Sequence, residues 1–167
     1  MNNKAFTLIE VLVVVLIIGI LTSIAVPQYQ RAVLKSRLSQ AMTIAGIIRD
    51  AEHVYYSTYN TYTADLNELD ITPLSGCQTI SSIVFPGRTT VTYNCDSGWQ
   101  IVFIHNGAAH NSVKVFVPPQ YGLAVEYYSQ NDTRLCYVPS AKEQYIAVCK
   151  SMGATPYGTY SDYYQFP

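Results

Sequence analysis

Residues 5–30, AFTLIEVLVVVLIIGILTSIAVPQYQ, decide the fold. From Val11 to Leu21 every residue is aliphatic except Gly19. Phe6 to Val26 is 21 residues, which as a helix rises about 31 Å and crosses a hydrocarbon core of about 30 Å. Glu10 does not belong with that simple picture. It sits at the near end of the apolar run, and an ionisable group at membrane depth costs on the order of 2.5–3.5 kcal/mol on insertion scales. A chain that keeps such a group has a use for it.

The rest of the composition agrees with a lipid-facing segment. Charged residues make up 13% of the 167-residue chain, about half the usual globular share. The length suits one domain plus an anchor. Net charge is −1, so bulk charge gives no basis for binding nucleic acid. Four cysteines, Cys77, Cys95, Cys136 and Cys149, all follow the apolar segment, with no C-x-x-C pair. That spacing reads as two disulfides made in an oxidising compartment, against an alternative of four reduced core thiols.

Three readings compete for the N-terminal segment. A cleavable secretory signal fits Lys4, the apolar run and the small residues of Ser23-Ile24-Ala25, but gains nothing from Glu10. A plain transmembrane anchor fits the length and is equally silent about Glu10. It also fits charge asymmetry poorly. Arg31, Lys35 and Arg37 follow the span, whereas Lys4 and the amino terminus precede it, and the positive-inside tendency alone would place the remainder in the cytoplasm. The cysteines point the other way and outweigh it.

The third reading accounts for Glu10. The run Lys4-Ala5-Phe6-Thr7-Leu8-Ile9-Glu10 resembles the class III signal of type IV pilins and pseudopilins. That resemblance implies cleavage by a prepilin peptidase between Ala5 and Phe6, with N-methylation of the new Phe6 terminus. It also implies that Glu10 pairs with the terminal amine of a neighbouring subunit, which fits the rule that buried charges persist when paired. Gly19 and the Pro27 that follows Ser23-Ile24-Ala25-Val26 match the family too. Where the family usually has glycine before the cut, this chain has Ala5, which is also small.

Helical periodicity continues beyond the span. Leu34, Leu38, Ala41, Ala45, Ile48 and Tyr55 form one apolar stripe, with Arg31, Lys35, Arg49, Asp50 and Glu52 expected off it. The pattern predicts one helix from Phe6 to Tyr59, kinked or locally melted at Pro27, which lacks an N–H and clashes with the preceding turn. The spacing Tyr62, Leu66, Leu69 resembles the helix-to-sheet loop of many pilins. Its tyrosines would serve either filament contacts or the top of the chain's own core.

From Ile80 the period changes to two. Strands are predicted over Ser82–Phe85, Thr89–Asn94, Trp99–His105, Val113–Val117, Leu123–Tyr128 and Leu135–Val138. Breaks fall at Pro86-Gly87, Asp96-Ser97-Gly98, Asn106-Gly107 and Pro118-Pro119. Such short sequential strands suggest an antiparallel meander whose face buries the helical stripe. Ser140 and Glu143 make a capping-box pattern that predicts a short helix from Ala141 to Met152, with Gly153 as its terminal cap. The chain closes with PYGTYSDYYQFP, four of the 15 tyrosines within Tyr157–Tyr164, either an exposed patch or a tail folded across the sheet.

Four cysteines allow three pairings. The local pairs Cys77–Cys95 and Cys136–Cys149 are preferred, and the second resembles the C-terminal disulfide loop of many pilins. No catalytic pattern emerges: there is neither a Gly-x-Ser-x-Gly elbow nor a P-loop. His105 and His110 are five apart with no third ligand, so no metal site and no cofactor are expected. Some pseudopilins bind calcium in a C-terminal loop, but the spacing of Asp162, or of the Asp65–Asp70 region, is not diagnostic of it. Asn131-Asp132-Thr133 has the form of a glycosylation sequon and is better read as a polar turn.

The resulting expectation is an α+β, pilin-like fold. Residues 1–5 form the leader, 6–27 the transmembrane and filament-core helix, 28–59 its amphipathic half, and 60–167 a periplasmic head. The chain would be a non-enzymatic subunit held in the inner membrane before assembly. Its partners would be like subunits in a helical polymer, the prepilin peptidase and the assembly machinery, and it would end in an extracellular pilus. Alternatives are a pseudopilin of a type II secretion system, or a membrane-anchored periplasmic enzyme or binding protein.

Overall fold

The computed structural model describes residues 7–71, 76–106, 110–119, 121–139 and 142–167. One helix, α1, runs from Leu8 to Tyr59. Thr7 is its N-cap, and Asn60, in the left-handed region at φ 56°, ends it by donating its N–H to the Tyr56 carbonyl, a role asparagine shares with glycine. The backbone stays helical through Pro27, which lies inside α1. A proline forfeits one helical hydrogen bond, and here the turns on either side remain intact.

The second half of α1 lies on an eight-stranded antiparallel sheet, in the order β1-β2-β3-β4-β5-β6-β8-β7. The strands are β1 (Cys77–Phe85), β2 (Arg88–Cys95), β3 (Gln100–Asn106), β4 (His110–Phe116), β5 (Ala124–Tyr128), β6 (Arg134–Tyr137), β7 (Thr155–Pro156) and β8 (Tyr163–Gln165). The first six form the expected meander, and β1 begins earlier than its alternation suggests because its register shifts between Thr79 and Ser81. Such a shift breaks the period-two pattern. Pro86-Gly87 closes the first hairpin between paired Phe85 and Arg88, with Gly87 at φ 78°. This is the Pro-then-Gly order that a type II turn requires.

Alternation assigns the two faces of the sheet. Ile101, Phe103, Val113, Val115 and Val125 are fully buried and meet Leu38, Ala41, Ala45 and Ile48 of α1. The alanines let the helix approach the strands closely. One expectation about this stripe fails: Glu52 lies within it and is 1% exposed. Its position four residues after Ile48 continues the buried face, and it is tolerated because Ser129 Oγ donates to its carboxylate at 2.8 Å.

The short second helix, α2, spans Glu143–Ser151 and buries Tyr145, Val148 and Cys149. It differs from expectation at its start. Lys142 occupies the N-cap without a side-chain bond and Glu143 is the first helical residue, so Glu143 is too early in the helix to complete a capping box. Ser140 lies outside the described residues. After α2 the chain returns as β7 and β8, and Tyr164 and Phe166 enter the core. The terminal tyrosines are therefore divided: Tyr164 is buried, whereas Tyr160 is 61% exposed.

Two disulfides fasten this head. Cys77–Cys95 joins the open end of the β1–β2 hairpin, and Cys136–Cys149 ties β6 to α2. Arg49 of α1 reaches Asp132 in the β5–β6 turn at 2.8 Å and its own neighbour Asp50 at 2.7 Å. The Asn131–Thr133 segment is a polar turn, with Asn131 Oδ1 accepting from the Thr133 N–H.

Candidate functional site

The first half of α1 is exposed along its whole length among the described residues. Leu8, Ile9, Val11 to Ile18, Ile20, Leu21, Ile24 and Val26 are all exposed. The helix is long and apolar enough to cross a membrane, and its most apolar stretch is not buried at all. An 18-residue apolar surface is untenable in water, so it needs lipid or other helices around it. Gly19 has open space where a side chain would stand, and Thr22 and Ser23 turn their hydroxyls back to the carbonyls of Ile18 and Ile20. The helix thus presents no unsatisfied hydroxyl to an apolar surround.

Glu10 stands in the first turn of this bare helix, where the helix dipole favours a carboxylate. It completes a capping box with Thr7. Glu10 Oε2 accepts from the Thr7 N–H at 2.9 Å and from the Thr7 hydroxyl at 2.6 Å, while the Glu10 N–H points to Thr7 Oγ1 at 3.4 Å. Both side-chain bonds fall on one oxygen. Oε1 accepts no hydrogen bond among the described residues. A carboxylate has about four acceptor positions, so this one is oriented by its own chain and still able to take a further donor. The sequence signal for this box is the T-x-x-E pattern of Thr7 to Glu10. Lys4, Ala5 and Phe6 lie outside the described residues.

Elsewhere, the grouping that most resembles catalytic machinery is Glu52, His105 and Ser129. In a hydrolytic triad the histidine stands between nucleophile and acid. Here Ser129 Oγ donates to Glu52 directly, and His105 Nε2 lies 3.6 Å from Glu52 Oε1 without a hydrogen bond. The serine is not activated by this arrangement. Among the described residues no three His, Cys, Asp or Glu side chains cluster to hold a metal ion. Asp65 is instead the N-cap of the turn Leu66–Glu68, accepting from the Asn67 N–H at 2.9 Å. Leu66 and Leu69 sit in the core, and Tyr62 stacks on Tyr56 with ring centres 4.6 Å apart.

A long N-terminal helix, half bare and half packed on an antiparallel sheet with a C-terminal disulfide, is the α+β fold of pilins. Residues 1–26 match the family described as the prokaryotic N-terminal methylation motif. The chain is 40% identical to the fimbrial protein EcpC of Eikenella corrodens over 88 residues, 53% of this chain and 58% of that one. It is 52% identical to the type IV major fimbrial protein FimA of Dichelobacter nodosus over 49 residues, 29% of this chain and 31% of the relative. Against the type IV major pilin protein PilA of Myxococcus xanthus (strain DK1622) it is 36% identical over 75 residues, 45% of this chain and 34% of the relative. The chain thus matches three-fifths or less of the length of these curated relatives. No solved structure matches it. Over part of its length the chain is thus similar to fimbrial proteins and type IV major pilins, and its N-terminus carries the methylation motif.

Proposed function

We propose that the chain is a structural subunit of a type IV pilus-like filament. The observation that carries this reading is a wholly exposed apolar half-helix that opens on a self-capped carboxylate with one oxygen still open. Residues 1–5 are the leader, cut by a prepilin peptidase between Ala5 and Phe6, and Phe6 is then N-methylated. Residues 6–27 wait in the inner membrane and later form the filament core. Residues 28–59 join them to the head, residues 60–167, which faces the periplasm and then the filament exterior. Pro27, at the boundary, is where a bend costs least, because the helix already lacks one hydrogen bond there.

Assembly follows from electrostatics. In a low-dielectric core an unpaired carboxylate is costly and a paired one is tolerated. The amine of Phe6 from an incoming subunit is the natural donor to the open Oε1. A subunit docked out of register leaves Glu10 unpaired among aliphatic side chains, so the pair sets register. The names of the relatives, fimbrial proteins and type IV major pilins, favour a pilus over a secretion pseudopilus.

The test is Glu10→Gln, with Glu10→Ala beside it. Both leave the head folded and depress filament yield in shear preparations by at least tenfold, the amount expected from an uncompensated intramembrane interaction of about 1.4 kcal/mol or more per docking step. Normal yield from both variants would sink the assembly role of Glu10.

A further inference from the structure

Between Val11 and Arg49 the only charged residues are Arg31, Lys35, Arg37 and Arg49. Arg49 is matched by Asp50 and Asp132. The other three follow the apolar span, and among the described residues no carboxylate pairs with them. Arg31 and Lys35 are exposed, and Arg37 donates to the Pro118 carbonyl at 2.8 Å. The head widens this basic band. Lys35 Nζ donates to the Ser151 carbonyl at 3.3 Å, so the end of α2 that carries exposed Lys150 borders it. Exposed Lys142, at the start of α2, lies over Tyr145, whose ring shares a recess with Leu34. Glu143 on α2 is at this end of the head too, as is Asp96, in the turn whose Gly98 neighbours Pro118. Neither pairs with the band.

We propose that this band binds the phosphodiester headgroups of anionic phospholipids in the leaflet where the span ends. The proposal rests on the reading of residues 6–27 as a membrane helix before assembly. Helix geometry then sets the depths. With Val26 at the edge of the hydrocarbon, Arg31 stands about 7 Å beyond it and Lys35 about 13 Å. The headgroup layer is roughly 5–7 Å thick on each side, so Arg31 is level with the lipid phosphates. Lys35 is one turn further on the same face, with its Cβ tilted back toward the span, and its apolar stem can lay the ammonium down toward that layer. Tyr29, 71% exposed, falls inside the layer, where aromatic anchors collect. The positive-inside tendency opposes cations on this side of the span, and lipid phosphate gives them a use that the chain's own carboxylates do not. With a net charge of −1, the chain as a whole has no attraction for polyanions. The cations instead adjoin the one segment that requires lipid. A lysine or arginine at an anionic surface strengthens association about fivefold.

The test uses the full chain in phosphatidylcholine vesicles, with Tyr29→Trp as a reporter at the leaflet surface. Trp99, buried in the head, adds a constant emission. Brominated phosphatidylglycerol and brominated phosphatidylcholine are titrated in separately, and quenching of the reporter gives their relative association. At low ionic strength the anionic lipid associates at least threefold more strongly, and high salt shrinks that preference by screening. Arg31→Gln combined with Lys35→Gln brings the ratio to within about 1.5-fold of unity. Both side chains are exposed, so circular dichroism finds the fold unchanged. Arg49→Gln, higher on α1, leaves the ratio as it was. Equal association of the two lipids overturns the proposal and leaves the membrane reading standing, because both lipids still quench. A preference that survives the double substitution overturns it as well. A reporter that neither lipid quenches overturns the membrane reading and the proposal with it.

Discussion

Removing the Ser129 hydroxyl isolates the buried charge at Glu52. Ser129 and Glu52 are each 1% exposed, and the hydroxyl donates to Glu52 Oε2 at 2.8 Å. The Ser129 N–H bonds separately to the Asn111 carbonyl at 2.9 Å, so Ser129→Ala leaves the backbone of this turn in place. Hydrogen bonds to charged groups contribute about 1.5–3 kcal/mol, so Ser129→Ala destabilises the head by about 2 kcal/mol. Trp99 reports unfolding directly: it is the chain's one tryptophan and is 9% exposed in the core. With a urea dependence of about 1–3 kcal/mol per molar, the midpoint falls by roughly 1 M. The second arm of the cycle is Glu52→Leu, an apolar replacement that is often neutral at buried charges. In that background Ser129→Ala costs less than about 0.5 kcal/mol, so the coupling exceeds about 1 kcal/mol. If Ser129→Ala stays within about 0.5 kcal/mol of wild type in both backgrounds, the hydroxyl does not stabilise Glu52 and this account of the buried charge is wrong.

The Cys136–Cys149 bridge closes a 13-residue separation, so replacing both cysteines with serine costs about 3 kcal/mol by loop entropy; urea unfolding followed by Trp99 fluorescence measures it, and a loss under about 1 kcal/mol refutes the estimate. Burial first, and the Glu126 charge second, push the Tyr128 and Tyr163 phenols well above the usual tyrosine range. Their folded-state values are raised, so their contribution to stability is complete below the unfolded-state value of about 10 and is lost as pH rises beyond it. Absorbance at 295 nm accordingly shows a late-ionising class of tyrosines that merges with the main class in denaturant. A single titration step near the usual value in the native chain contradicts this.

Much of this fold was legible because its elements have strong periods. Leu38, Ala41, Ala45 and Ile48 recur on one helical face, and the first five strands are separated by turns that contain Gly or Pro. Glu52 was not legible. Its charge argued for solvent, and the partner that permits its burial, Ser129, is 77 residues away. The cross-strand pair of Lys114 and Glu126 was hidden for a related reason, since only strand register sets the two side chains opposite each other. The two-residue β7 and three-residue β8 are too short to show alternation. At the start of α1, Glu10 stands out as a charge beside an apolar run, whereas Thr7 does not, although its capping pattern is local and readable.

The central claim, that this helix is released for assembly rather than kept as a simple anchor, is tested most directly at the N-terminus of the mature chain. Intact-mass and peptide mass spectrometry of protein from the native membrane should show a chain lacking residues 1–5 and beginning at N-methylated Phe6. A chain retaining Met1, or one beginning at Val26, would contradict it.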